Sequence, residues 1–77
     1  VGSVALGQVA ASSGENAVAI GSESVASGLS SVALGFQTVA SGIASTALGH
    51  NADATQLGTT AVGVSAQATA NFATSLG

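Results

Sequence analysis

Ser31-Val32-Ala33-Leu34-Gly35 is a word that the chain repeats every fourteen residues. The other copies are Ser3-Val4-Ala5-Leu6-Gly7, Ala17-Val18-Ala19-Ile20-Gly21, Ser45-Thr46-Ala47-Leu48-Gly49, Thr59-Thr60-Ala61-Val62-Gly63 and Ala73-Thr74-Ser75-Leu76-Gly77. Self-similarity at a fixed period marks a repeat architecture, in which each unit is one small piece of structure stacked on the next. Numbered from Val1, the units are residues 1–14, 15–28, 29–42, 43–56 and 57–70, with a half unit at 71–77 and no insertion. The pattern reaches both ends, which predicts a single domain that is a segment of a longer chain.

Glycine outlines the unit. Position 7 holds Gly7, Gly21, Gly35, Gly49, Gly63 and Gly77, and position 14 holds Gly14, Gly28 and Gly42, followed by Gln56 and Ala70. The remaining glycines, Gly2 and Gly58, share position 2, so all 11 fall in three columns. A glycine at each half unit predicts a tight bend twice per coil. Heptad glycine does not fit a coiled coil, because glycine is a poor helix former and would recur every second turn. The segments between the glycines carry Val, Ile and Thr, which favour strands. Large and small residues alternate with period two: positions 4 and 6 are large, positions 3 and 5 small. Each unit therefore predicts strand, turn, strand, turn. Coils stacked in parallel at about 4.8 Å give a rod of about 26 Å.

Size suggests which side faces in. Position 6 is always aliphatic and position 4 is Val or Thr, so Val4, Leu6, Val18, Ile20, Val32, Leu34, Leu48, Val62 and Leu76 are the expected core. They would pack on the small residues of positions 10 and 12 in the second strand. Position 5, with Ala5, Ala19, Ala33, Ala47 and Ala61, then points outward. A solvent-facing strand column would vary and carry charge, so an all-small column predicts close approach of a partner chain. Val1, Leu29, Ile43 and Leu57 at position 1 extend an apolar stripe of the kind that marks interfaces. Gly7, Gly14, Gly21, Gly28, Gly35, Gly42, Gly49 and Gly63 are the expected turn glycines. Ala, Ser and Gly side chains bury little apolar surface, and self-association would supply the rest.

Composition excludes several functions. There is no Lys or Arg and the formal net charge is −3, so a phosphate backbone would be repelled. Nothing basic is present to hold an anionic membrane, and no apolar run is long enough to span one. With no cysteine, disulfides and thiolate-ligated metals are impossible.

The unit Ser-Val-Ala-Leu/Ile-Gly followed after six or seven residues by Ala-Ser-Gly, repeated at fourteen throughout the chain, resembles the YadA-like head of trimeric autotransporter adhesins. That resemblance implies an all-β, left-handed parallel β-roll, three identical chains around one axis, and a place on a bacterial cell surface, with the outer-membrane anchor elsewhere in the chain. It implies attachment to extracellular-matrix or host-cell proteins, with no enzyme activity and no cofactor. The left hand comes from the resemblance alone, since ordinary β-crossovers are right-handed. Collagen-binding members carry Asn-Ser ahead of Val-Ala-Ile-Gly. Here Asn16 precedes Ala17, and no unit has the full hexapeptide.

Chemistry finds few candidates. His50, Asp53 and the many serines could suggest a Ser-His-Asp triad, but a triad needs a cleft that orients its members. Phe36 and His50 occupy position 8 of successive units, which predicts that they pack together at the roll edge. Glu15, Glu23 and Asp53 are isolated, whereas calcium wants six to eight clustered oxygens. Position 13 forms a hydroxyl column of Ser13, Ser27, Ser41, Thr55 and Thr69. An ice-binding solenoid would need a regular threonine array instead. The outward side of the second strand carries Glu23, Val25, Gln37, Val39, Asn51 and Asp53, the expected ligand face. Two functions remain, an adhesive head and a structural spacer of the same fibre, with ice binding as a distant third.

Overall fold

The computed structural model describes residues 2–76. Val1 of the position-1 column and Gly77 of the glycine column lie outside it. Every regular element is a short strand. The first strand of each coil has three residues: β1 (Val4–Leu6), β3 (Val18–Ile20), β5 (Val32–Leu34), β7 (Thr46–Leu48), β9 (Thr60–Val62) and β11 (Thr74–Leu76). The second has two: β2 (Ala11–Ser12), β4 (Val25–Ala26), β6 (Val39–Ala40), β8 (Asp53–Ala54) and β10 (Gln67–Ala68). The odd strands form a six-stranded sheet and the even strands a five-stranded sheet, all parallel. Register follows the repeat: Ala19 pairs with Ala33 and Ala33 with Ala47. The result is a parallel β-solenoid measuring 26 × 21 × 10 Å between Cα atoms.

Two turns close each coil. The Ser31 N–H donates to the Gly28 carbonyl at 3.2 Å, and the Ala52 N–H to the Gly49 carbonyl at 3.4 Å. The third residue of each turn has positive φ, the sign found in a type II turn. At position 9 these are Val9, Glu23, Gln37, Asn51 and Ser65, and at position 2 they include Asn16, Ser30, Ala44 and Phe72. Left-handed backbone costs a non-glycine residue about 1–2 kcal/mol. The stacked ladder offsets it: the Gln37 N–H donates to Ser22 O at 3.0 Å and the Ala44 N–H to Leu29 O at 2.7 Å.

Glycine is required in two ways. Gly35 has φ +126, and a Cβ there would lie 2.8 Å from the Gly49 carbonyl oxygen. Gly28 has no such φ, but a Cβ on it would overlap the Gly42 carbonyl oxygen in the next coil. One glycine column thus serves backbone conformation and close approach together, and the other serves close approach.

The interior reverses the expected facing of the first strand. Ala19, Ala33, Ala47 and Ala61 are fully buried, at 0 % exposure, while Leu6 is 56 % exposed and Ile20 39 %. Val4 and Leu76 are also exposed, and Val18, Val32, Leu34, Leu48 and Val62 are half-buried on the outer side. None of these nine forms the core, and the position-5 alanines are not an outer contact surface. Ala5 belongs to the first coil and is itself exposed, but it pairs with Ala19 and shares that column's facing. The core consists of buried alanines, including Ala26, Ala40, Ala54 and Ala68 of the second sheet. The cause is thickness. A roll only 10 Å deep has room for one thin layer of methyl and hydroxymethyl groups, so the larger aliphatics must turn outward.

Buried hydroxyls complete the interior at positions 3 and 10. Ser24 Oγ donates to Gly21 O at 2.9 Å, Ser31 Oγ to Gly28 O at 2.7 Å and Thr59 Oγ1 to Gln56 O at 2.7 Å. Each binds the carbonyl that opens its own turn. Ser45 Oγ, buried in the same column, has no partner among the described residues.

Three substitutions test this interior. Ala33→Leu should lower stability by about 1–3 kcal/mol through overpacking, as measured by chemical denaturation. An unchanged midpoint would mean that the interior has spare volume. Ser31→Ala should cost about 0.5–1.5 kcal/mol for its lost hydrogen bond, while Ser45→Ala should be neutral or stabilising because its hydroxyl is already unpaired. Equal losses at the two sites would contradict that distinction.

Candidate functional site: the two outer sheet faces

Strand alternation places positions 4 and 6 on the outer side of the six-stranded sheet, because positions 3 and 5 are turned inward. Successive coils bring Val18, Val32 and Thr46 into one row and Ile20, Leu34, Leu48 and Val62 into the next. Leu29, Ile43 and Leu57, at the turn before the strand, are exposed large apolar residues, as is Phe36 at the turn after it. No ionisable side chain occurs at positions 4 or 6. This face is apolar through most of its length, and its position-4 row changes from Val4, Val18 and Val32 to Thr46, Thr60 and Thr74.

At position 8 the Phe36 and His50 rings lie with centroids 5.2 Å apart and planes tilted by 53°. The expected packing of the two is present. Tilted aromatic pairs at this separation are favourable beyond the area they cover.

The outer side of the five-stranded sheet is different in chemistry. Position 11 supplies its middle row, with Val25, Val39 and Asp53 in register and half-buried. Glu23, Gln37 and Asn51 stand exposed along one margin, in the left-handed turns of position 9. Gln37 Nε2 donates to Glu23 Oε1 at 3.0 Å, tying adjacent coils across that margin. Ser13, Ser27, Ser41, Thr55 and Thr69 are exposed along the other margin. The hydroxyl column is therefore a single row of mixed Ser and Thr beside a row that includes valine and a carboxylate.

Stacking brings the expected ligand-face residues together as neighbouring rows of one surface. It does not assemble His50, Asp53 and a serine into a catalytic group. His50 lies in the turn after the first strand, and Asp53 in the second strand with its neighbours Val39 and Gln67. No cluster of three potential metal-binding side chains occurs among the described residues. No cavity opens between the two sheets among the described residues.

The residues whose placement sequence alone misjudged are those of positions 4, 5 and 6. Their signal was available in the length of the unit. Fourteen residues, less two four-residue turns, leave strands too short to enclose leucine and isoleucine.

Fold and faces together define the class: a parallel β-solenoid of fourteen-residue coils with one apolar and one largely polar outer face. A family model described as YadA head domain repeat (2 copies) matches residues 1–24, 26–52 and 54–77. The chain belongs to the YadA head family, the head domains of trimeric autotransporter adhesins, which is a family of surface-exposed adhesin domains and not of enzymes. No curated protein matches the chain.

Proposed function

We propose that this segment is part of a homotrimeric adhesin head on the bacterial cell surface, tethered to the outer membrane by other parts of the protein. Three copies meet through the outer face of the six-stranded sheet. The outer face of the five-stranded sheet, with Glu23, Val25, Gln37, Val39, Asn51 and Asp53, is left for matrix proteins or host-cell surface proteins.

The observation that carries this reading is the outward facing of Val18, Ile20, Val32, Leu34, Leu48 and Val62 in a chain whose own interior is already filled by alanine. An apolar patch of that continuity is what an association surface requires. Fully burying one leucine contributes about 1.5–3 kcal/mol, and several rows per chain act together. The number three follows from the family, whose members are trimeric. Trimerisation also serves adhesion. Three copies of a weak polar face on one rigid body raise avidity by roughly 10²–10⁴ when they engage together.

Two sets of variants separate assembly from adhesion. Leu34→Glu should dissociate the trimer, because it places unpaired charge in an apolar contact. Sedimentation reads this directly, and a trimer of undiminished stability would remove the first sheet from the interface. Gln37→Arg with Asn51→Arg should leave the mass unchanged and weaken binding to immobilised matrix proteins or cultured cells. If the intact trimer binds nothing in a broad panel, the segment is a structural spacer of the fibre and ligands bind elsewhere.

A further inference from the structure

The ladder that joins successive coils is interrupted at one corner. At position 13, the Ser13, Ser27 and Ser41 N–H groups donate to Ala26, Ala40 and Ala54 carbonyls at 3.2, 3.1 and 3.1 Å. At position 14, the Gly14, Gly28 and Gly42 N–H groups donate to the same three carbonyls at 3.4 Å. The next coil should continue both rows with Thr55 and Gln56 donating to Ala68. Neither bond occurs among the described residues. Elsewhere the fourth and fifth coils remain joined: Asp53 N–H donates to Ala66 O at 2.8 Å, Gly58 N–H to Ile43 O at 2.8 Å and Gly63 N–H to Leu48 O at 2.8 Å.

The cause is the side chain at position 14. A Cβ on Gly14, Gly28 or Gly42 would overlap the carbonyl oxygen of the next coil, so tight stacking at this corner depends on glycine. Gln56 is the first residue of the column to carry a Cβ, and Ala70 follows it. Stacked as tightly as its predecessors, Gln56 would drive its Cβ into the backbone of Ala70. The corner opens instead, and both amides lose their cross-coil partner. A side chain makes a partial replacement: Asn71 Oδ1 accepts from the Leu57 N–H at 3.3 Å.

We propose that the Gln56 corner is a built-in opening point of the roll, where the coils from residue 57 onward separate first from those before it. Local opening of a solenoid begins where nearest-neighbour bonds are fewest, because each coil is held only by its neighbours. The remaining strand pairing of both sheets acts as the hinge. β7 stays paired with β9, and β8 with β10. A head with such a point can yield at one corner under load while its apolar face stays assembled.

Amide hydrogen exchange on the intact assembled protein tests this. Thr55 and Gln56 should exchange about tenfold faster than Ser27, Gly28, Ser41 and Gly42, since one cross-coil hydrogen bond is worth about a factor of ten. Gln56→Gly should slow Thr55 and residue 56 toward the rate of their counterparts, which separates a missing glycine from simple fraying of later coils. Gly42→Gln should move the fast exchange to Ser41 and residue 42. Equal protection at all these positions in the native protein would overturn the proposal. So would fast exchange at Thr55 that persists unchanged in Gln56→Gly. If Gly42→Gln prevents folding, the comparison of native protein with Gln56→Gly still settles the matter.

Discussion

Everything in this molecule depends on how close two parallel sheets come in a fourteen-residue coil. The two turns consume over half of each unit and leave strands of three and two residues. Sheets joined by so little chain enclose a space for alanine methyls and serine or threonine hydroxyls. Ala19, Ala33, Ala47 and Ala61 fill it from one side and Ala26, Ala40 and Ala54 from the other. Once that is fixed, the larger apolar side chains have only one place to go. They form the outer face of the six-stranded sheet, and a lone chain would leave them wet.

This explains an unusual division of labour. In most small domains, leucine and isoleucine fill the core. Here burial within the chain fixes shape, and in the proposed trimer burial between chains is where the large apolar residues would contribute most. The interior alanines make little apolar area each, so the hydrogen-bonded ladder carries coil-to-coil continuity. It does so through left-handed residues of many types, from Glu23 to Phe72, whose N–H groups reach the preceding coil.

Much of the architecture was legible in sequence. The glycine columns gave the period, the coil count and the two turns, because glycine is demanded wherever a Cβ would strike the next coil. Alternation gave strands, and the row of Phe36 and His50 gave a contact that the structure contains. The phase of the alternation in the first strand was not legible from size alone. Treating large residues as the core assigns Val32 and Leu34 inward and Ala33 outward, and period-two geometry turns that single error into a reversal of every position. The second strand escaped it, because its inward residues are small and so fit the thin space under either assumption. Sequence also showed that Gln56 breaks a glycine column. That the break costs two ladder bonds at one corner required the stacked backbones.

Ala33 is buried inside one chain, whereas Leu34 is buried only in the proposed contact between chains. The chain has no cysteine, so single thiols introduced at each position report on it without background. Thiol-labelling rates of Ala33→Cys and Leu34→Cys, followed from concentrated to dilute protein, measure the difference most directly. A thiol at 33 should stay protected at every concentration until the roll unfolds. One at 34 should be protected in the assembly and become reactive as dilution releases the chains. Rapid labelling at 33 on dilution, with 34 protected throughout, would contradict this account.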